Sequence, residues 1–356
     1  MAITRDVWWM PRAGSLDRLE RRTEPLPEPG PGEARVRVEA IGLNFADVFA
    51  CLGLYSATPK GPFVPGLECA GVVEAIGPAA AGRPERLASA EVRPGDRVMA
   101  LTRFGGYATA LNLDTRYLRK APDGWSATES AAYPVQALTA WYGLVHLGAV
   151  DRGDVVLVQS AAGGVGLNAL ALLEQVGGVA VATVGRAVKR DFLVRHTGLP
   201  PDRIIVREAS RFEAQLDAAL KAAGTTGFDI VFDAIAGPFL RPAYDRLRPE
   251  GRLLVYGAAD FMPAASRPNY VKLAWQYVRR PRIDPVQMIS ENRAVMGFNL
   301  IWLWDQVNRL PEALAATAAL IRRAPHVGGT FAFGEAPAAM RRLQSGESVG
   351  KIVLTV

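Results

Sequence analysis

Cysteine is nearly absent from this 356-residue chain, which has only Cys51 and Cys69, and histidine stops at His146, His196 and His326. Two cysteines build no disulfide framework and suit a reducing cytoplasm. A zinc centre needs several deprotonated Cys or His side chains at close range, so no metal of the usual sort is expected. His146 lies in an apolar stretch and reads as a satisfied core residue. Long hydrophobic runs are missing as well. The two longest uncharged segments are 130–150, broken by Pro134, Gln136 and His146, and 155–173, which holds a glycine cluster that a lipid-facing helix would not choose. Both read as buried globular segments, and no membrane association is expected. The opening MAITRDVWWMPR carries charge and Pro11 too early for a secretory leader. Lysine is scarce beside arginine, and the cations are scattered with few clusters, so the formal charge of +6 reads as a solvated surface. It argues for no nucleic-acid partner and is permissive for an anionic cofactor or a CoA-like substrate.

What is present is ordinary globular composition, 49% hydrophobic and 21% charged, over a length sufficient for two domains. Residues 1–120 read as β-rich. ARVRVEAIGLN (34–44) and CAGVVEAIG (69–77) alternate like strands, a Pro/Ala/Gly loop follows the second, and RPGDRVMAL (93–101) is a turn then a strand. Many short strands punctuated by Gly and Pro suggest an irregular barrel. Helical patterning begins near Ala127. From Val155 strands and helices alternate. VVLVQ (155–159), VAVATV (179–184), RIIVR (203–207), DIVFDAI (229–235) and GRLLVYG (251–257) are separated by helical stretches at 167–177, 187–197, 211–223 and 238–247. That order builds a parallel sheet through crossovers. The chain then returns through a helix (310–323), GGTFAF (328–333), another helix and GKIVLTV (350–356).

The most informative turn is SAAGGVG (160–166), set between a predicted strand and a predicted helix. Ser160, Gly163 and Gly166 are three apart. A tight turn, backbone approach to a pyrophosphate and the free N–H groups of a helix N-terminus all demand small residues there. With the flanking strands it reads as a dinucleotide site. A site selective for NADH places Asp or Glu at the end of the second strand. Here Gly185, Arg186, Lys189 and Arg190 follow Val184. A guanidinium grips a 2′-phosphate that a carboxylate would repel, so NADPH is the expected cofactor.

Several phrases in order, IGLNFADVFACLGLY (41–55), VPGLECAGVVEAIG (64–77), RPGDRV (93–98), GGYA (105–108), ALTAWYGL (137–144), AAGGVG and GKIVL (350–354), resemble the zinc-free quinone-oxidoreductase branch of the medium-chain dehydrogenase/reductase superfamily. They are similar also to enoyl reductase modules of polyketide and fatty-acid synthases, and ENRAVMGFNL (291–300) resembles vesicle amine transport protein homologues. The resemblance implies an α/β fold in which a doubly wound Rossmann sheet is inserted in a β-rich GroES-like catalytic domain. The catalytic domain would comprise 1–132 and 306–356, and the NADPH-binding domain 133–305, with the active site between them. Zinc-dependent relatives have Cys at the position of Asn44 and His where Leu67 stands, so the resemblance too implies no metal.

By family position, Asn44 and Thr139 would orient the nicotinamide or substrate. Gly163, Gly164 and Val165 would meet the pyrophosphate, Gly185, Arg186 and Lys189 the 2′-phosphate, and Tyr256 and Gly257 would line the crevice. Tyr55 is either a proton donor to an enolate or an aromatic wall. Asp47 is a functional acid or a structural acceptor, Glu68 is read as structural, and Lys351 either reaches the cleft or forms an interdomain ion pair. Segment 258–285, with Phe261, Met262, Tyr270, Trp275, Tyr277 and three arginines, is a substrate lid or an ordinary helix with a solvated end. The leading function is NADPH-dependent reduction of an activated C=C bond in an enone, quinone or enoyl thioester. The alternatives are reduction of a quinone ring and a nucleotide-binding trafficking adaptor. A homodimer is expected through a sheet-edge strand within Ala294–Leu300.

Overall fold

The structure is a computed structural model and describes residues 3–80 and 92–356. Strands β1 (Ile3–Trp9) and β2 (Glu20–Leu26) pair as an antiparallel ribbon. They are followed by β3 (Glu33–Gly42), β4 (Glu68–Ile76), β5 (Arg97–Leu101), β6 (Ala110–Asp114) and β7 (Leu118–Lys120). The alternating block supplies β8 (Val155–Val158), β9 (Val179–Val184), β10 (Ile204–Val206), β11 (Phe228–Asp233), β12 (Leu247–Val255) and β13 (Ala294–Gly297). The chain then adds β14 (Val327–Ala332) and β15 (Lys351–Thr355).

One sheet has the order β14-β15-β3-β4-β5-β7, with β6 also on β3, so the late strands complete a sheet begun three hundred residues earlier. The other is parallel throughout, ordered β10-β9-β8-β11-β12-β13. This is the doubly wound order, with its switch point between β8 and β11, where a ligand crevice forms at the carboxyl ends of the strands. The inserted Rossmann arrangement expected from the sequence is therefore the one found. In β8 all four side chains are buried: Val155 and Leu157 face one apolar layer, Val156 and Val158 the other. Burial on both faces is why this run shows no alternation.

The helical stretch from Ala127 is two helices, α2 (Ala127–Ala132) and α3 (Pro134–Trp141). Pro134 has no N–H to continue α2 and starts α3 at its first position. The chain then widens into a π turn over Tyr142–Leu147, which leaves His146 exposed against Trp141 and Tyr142 instead of in the core. β12 begins at Leu247, ahead of the expected 251, through an irregular register with β11 and a left-handed Glu250 (φ 68). The Pro/Ala/Gly loop expected after Gly77 lies largely outside the described residues. Helix Leu310–Leu320 packs on α3 and on α4 (Gly164–Val176), and Ile321 joins the core under the parallel sheet.

Candidate active site

A cleft of about 1690 Å³ runs from the dinucleotide turn to an apolar chamber under the 258–310 segment. That exceeds the few hundred to thousand Å³ of a drug-sized pocket and suits a dinucleotide with a second molecule beside it. Among the described residues that line it, Glu312 is the only carboxylate, against Lys189, Arg207, Arg280, Arg309 and Lys351.

The cofactor end is built by the turn itself. Ser160 holds a left-handed φ of 55°, and α4 opens at Gly164. A Cβ on Gly166 would stand 2.5–2.7 Å from the Ala161 backbone, and one on Gly164 would meet the Gln136 amide of α3. These two glycines let helix, strand and α3 close up. Gly163 differs. A Cβ there would find only Ser160 O at 3.3 Å, so its bare backbone faces open cleft, the cradle a pyrophosphate needs. The residues present fit a dinucleotide.

At the end of β9 the cleft is lined by Gly185, Lys189 of α5 (Ala187–Thr197) and Arg207, which follows β10. Arg207 donates to Thr183 Oγ1 at 2.7 Å. Burial draws its pKa down to about 10, and burial with the neighbouring arginines draws Lys189 to about 8. Both remain cationic at neutral pH. Lys189 currently donates to the carbonyls of Gly346 and Ser348 at 2.7 and 2.6 Å. Arg186 does not line the cleft as expected. As the N-cap of α5 it swings out to Glu347 at 2.8 Å, more than half exposed. Arg207, absent from the sequence reading, stands in its place. The signal was available: in the order β10-β9-β8, the residue after β10 must lie beside the residue after β9.

The other end holds a buried polar cluster. Asn44 caps α1 (Phe45–Cys51), and its N–H donates to Asp47 Oδ2 at 2.8 Å. The Asn44 amide donates to Glu68 Oε1 (2.9 Å) and accepts from Lys351 Nζ (2.8 Å). Lys351 also donates to Glu68 Oε1, and Glu68 Oε2 accepts the Val135 N–H of α3 at 2.7 Å. The Lys351–Glu68 pair thus ties β15 to β4, while Glu68 reaches across to α3. Asp47 is fully buried beneath the cluster and does not line the cleft; burial pushes its carboxyl up to about 7, with Asn44 N–H and Lys351 pulling the other way. Tyr107 donates to Asp47 at 3.3 Å. Burial lowers the Lys351 ammonium from its ordinary value, opposed by Glu68.

Tyr55 lines the apolar chamber and donates its hydroxyl hydrogen to Asn299 Oδ1 at 2.8 Å, with burial raising its pKa to about 12. Asn299, which follows β13, was not foreseen; it bolts α1's loop to the far side. Thr139 lines the cleft with its hydrogen given to Val135 O at 2.6 Å. Val165, Tyr256 and Gly257 also line it, with Tyr256 stacked on Phe232 at 4.2 Å. In 258–285, Phe261, Met262, Tyr270, Tyr277 and Arg280 face the cleft, while Trp275, Arg279 and Arg282 do not. Both cysteines are free and buried, with thiols raised by desolvation, which leaves no nucleophile there. Among the described residues no group of three or more His, Cys, Asp or Glu could hold a metal ion.

Residues 30–123 match the alcohol dehydrogenase GroES-like domain and 199–354 the family model described as zinc-binding dehydrogenase. Human synaptic vesicle membrane protein VAT-1 homolog is 32% identical over 96% of this chain and 84% of its own length. The chain belongs to the medium-chain dehydrogenase/reductase superfamily of oxidoreductases. It spans 64% of the longer zebrafish VAT-1 homolog. Among solved superfamily structures, the Thermus thermophilus quinone oxidoreductase, determined alone and with NADPH, has a TM-score of 0.74 at 30% identity, covering 99% of this chain and 100% of that one. CurK enoyl reductase has a TM-score of 0.77 at 25% identity, covering 98% and 99%. This superfamily member joins a GroES-like sheet to a parallel one.

Proposed function

We propose that this chain is a zinc-independent, NADPH-dependent reductase of activated C=C bonds in enones, quinone-like compounds or enoyl thioesters. The observation that carries this reading is the cleft itself, which leads from a cradle fitted to a dinucleotide into an apolar chamber that carries a buried ammonium and, among the described residues, no set of metal ligands. Lys189, Arg207 and Gly185 would receive the 2′-phosphate, and Gly163, Gly164 and Val165 the pyrophosphate. When bound, NADPH supplies a hydride. Without a Lewis acid, a conjugated acceptor is favoured, because negative charge passes to its carbonyl oxygen as the β-carbon receives the hydride. Asn44, Thr139 and Tyr256 line the place where nicotinamide and substrate would meet, and the aromatic walls exclude water. Phe261, Met262, Tyr270 and Tyr277 would cover the substrate as a lid. Helix 310–320 packs on the Rossmann side, so we set the return to the catalytic domain near residue 322 instead of 306. The free thiols fit a reducing cytoplasm.

The test is NADPH consumption with enals, enoyl-CoA esters and quinones, using NADPH deuterated at the transferred position. The expected product is the saturated carbonyl compound with deuterium at its β-carbon. Turnover with quinones alone would favour ring reduction, and no turnover with any acceptor would favour a trafficking adaptor.

A further inference from the structure

Reduction of a conjugated C=C bond needs a proton as well as a hydride, and two hydroxyls expected near the substrate already have acceptors. Tyr55 gives its hydrogen to Asn299 and Thr139 gives its own to Val135 O. His146 is exposed at the rim on the π turn. Lys351 is different. Its ammonium carries three donors, and among the described residues the hydrogen bonds it makes are two, to Asn44 Oδ1 and Glu68 Oε1. The side chain is 1% exposed yet lines the cleft. It follows Gly350, whose N–H donates to Ala162 O at 2.8 Å in the dinucleotide turn, so the ammonium is anchored beside the cofactor cradle. Gly350 is left-handed (φ 62), and a Cβ there would stand 2.2 Å from His326 O, so the turn that aims Lys351 requires glycine.

We propose that Lys351 is the acid of the reaction, giving its third, unpartnered N–H to the substrate. The inference rests on the reading of the chain as a C=C reductase. Hydride forms the new C–H bond at the β-carbon, and the π pair of the C=C bond moves into an enolate. The Lys351 N–H bond then breaks with its electron pair retained on Nζ, and its proton forms a bond to the α-carbon or the enolate oxygen. The amine that remains keeps both N–H bonds to Asn44 and Glu68, so proton loss breaks no bond of the frame. The buried carboxylate of Glu68, with Asp47 and the Tyr107 phenol behind it, then favours recovery of a proton from water once product leaves. The network therefore aims the acid and recharges it.

Two variants test this. Lys351→Met removes the acid but strands Glu68, and loss of one partner of a buried pair can unfold a protein. The double variant Lys351→Met with Glu68→Gln removes both charges. With the best conjugated substrate in D2O, wild type is expected to place solvent deuterium at the α-carbon on one face. The folded double variant, with NADPH affinity near wild type, is expected to lose roughly a hundred- to ten-thousand-fold in kcat, the usual weight of a general acid. Its KM should stay within a few-fold, and α-deuteration should become non-selective. Tyr55→Phe should instead keep one-faced α-deuteration and lose less than about tenfold in kcat, as expected for one neutral hydrogen bond. A double variant with wild-type kcat and one-faced deuteration would overturn Lys351 alone, as would loss of face selectivity in Tyr55→Phe. Wild type that reduces no conjugated alkene would overturn the functional reading and the acid with it.

Discussion

Asp47 is a carboxyl group with an accepting cap role and one oxygen, Oδ1, that has no hydrogen-bond partner. Its pKa of about 7 in the fold lies above the 3.8 of a free aspartate, so the folded state holds the proton more tightly than the unfolded one. Stability from this group is then greatest below pH 4 and is lost as pH rises from about 4 to 7. Asp233, buried and raised to about 6 at the end of β11, acts in the same direction. Asp47→Asn keeps an oxygen for the Asn44 N–H and removes the titration. Urea midpoints measured across that window should fall less steeply for the variant than for wild type, and identical slopes would refute the linkage. At this scale the sequence named the short-range glycine turn, while Asp47 stayed open between a functional acid and a structural acceptor and its cap on the Asn44 N–H was not read. Whether Lys351 reached the cleft or only an ion pair was not legible, because its partners lie 283 and 307 positions away and their approach depends on sheet register.

The strand–turn–helix unit at 155–176 was readable because its requirements are short-range: an apolar strand, a turn of small residues and a helix. Basic residues after β9 were read as a group, but a sequence cannot say which of two neighbouring cations turns inward. Arg186 has a carboxylate from the 345–348 loop to satisfy it, whereas Arg207 is held inward by Thr183. Arg207→Ala should therefore weaken NADPH binding by about 1.5–3 kcal/mol, roughly ten- to a hundredfold in Kd, and leave NADH almost unchanged. Arg186→Ala should alter either cofactor little, as its ion pair is largely solvated. Calorimetric titration of both variants with both cofactors checks this, and equal losses for NADPH and NADH in Arg207→Ala would exclude a phosphate role. The π turn at 142–147 was less legible, since it answers to packing on β12, whereas the break at Tyr133 follows from Pro134.

For the molecule as a whole, strand periodicity and family-like phrases indicated the inserted sheet, while the N-terminal ribbon and the packing of helix 310–320 on the Rossmann side needed tertiary structure. β13 is the open edge of the parallel sheet, as expected within Ala294–Leu300, and the helix before it, Pro285–Glu291, exposes Val286 and Ile289. An apolar strand edge left bare invites pairing with another chain. We expect a two-fold homodimer that joins β13 strands; light scattering at micromolar concentration should give twice the 38.3 kDa chain mass, and Met296→Lys should shift the population toward monomer. A wild-type monomer at that concentration would count against it.

The bond between Asn44 and Lys351 closes a loop of 307 residues, whereas the dinucleotide turn and its sheet use only the chain between 155 and 297. Synthesis on the ribosome proceeds in that same direction, and domains fold as they emerge. A nascent polypeptide will thus possess a nucleotide cradle well before it possesses an ammonium to work with it. A fragment released after residue 322 would hold that cradle with helix 310–320 packed on its core, yet lack Lys351.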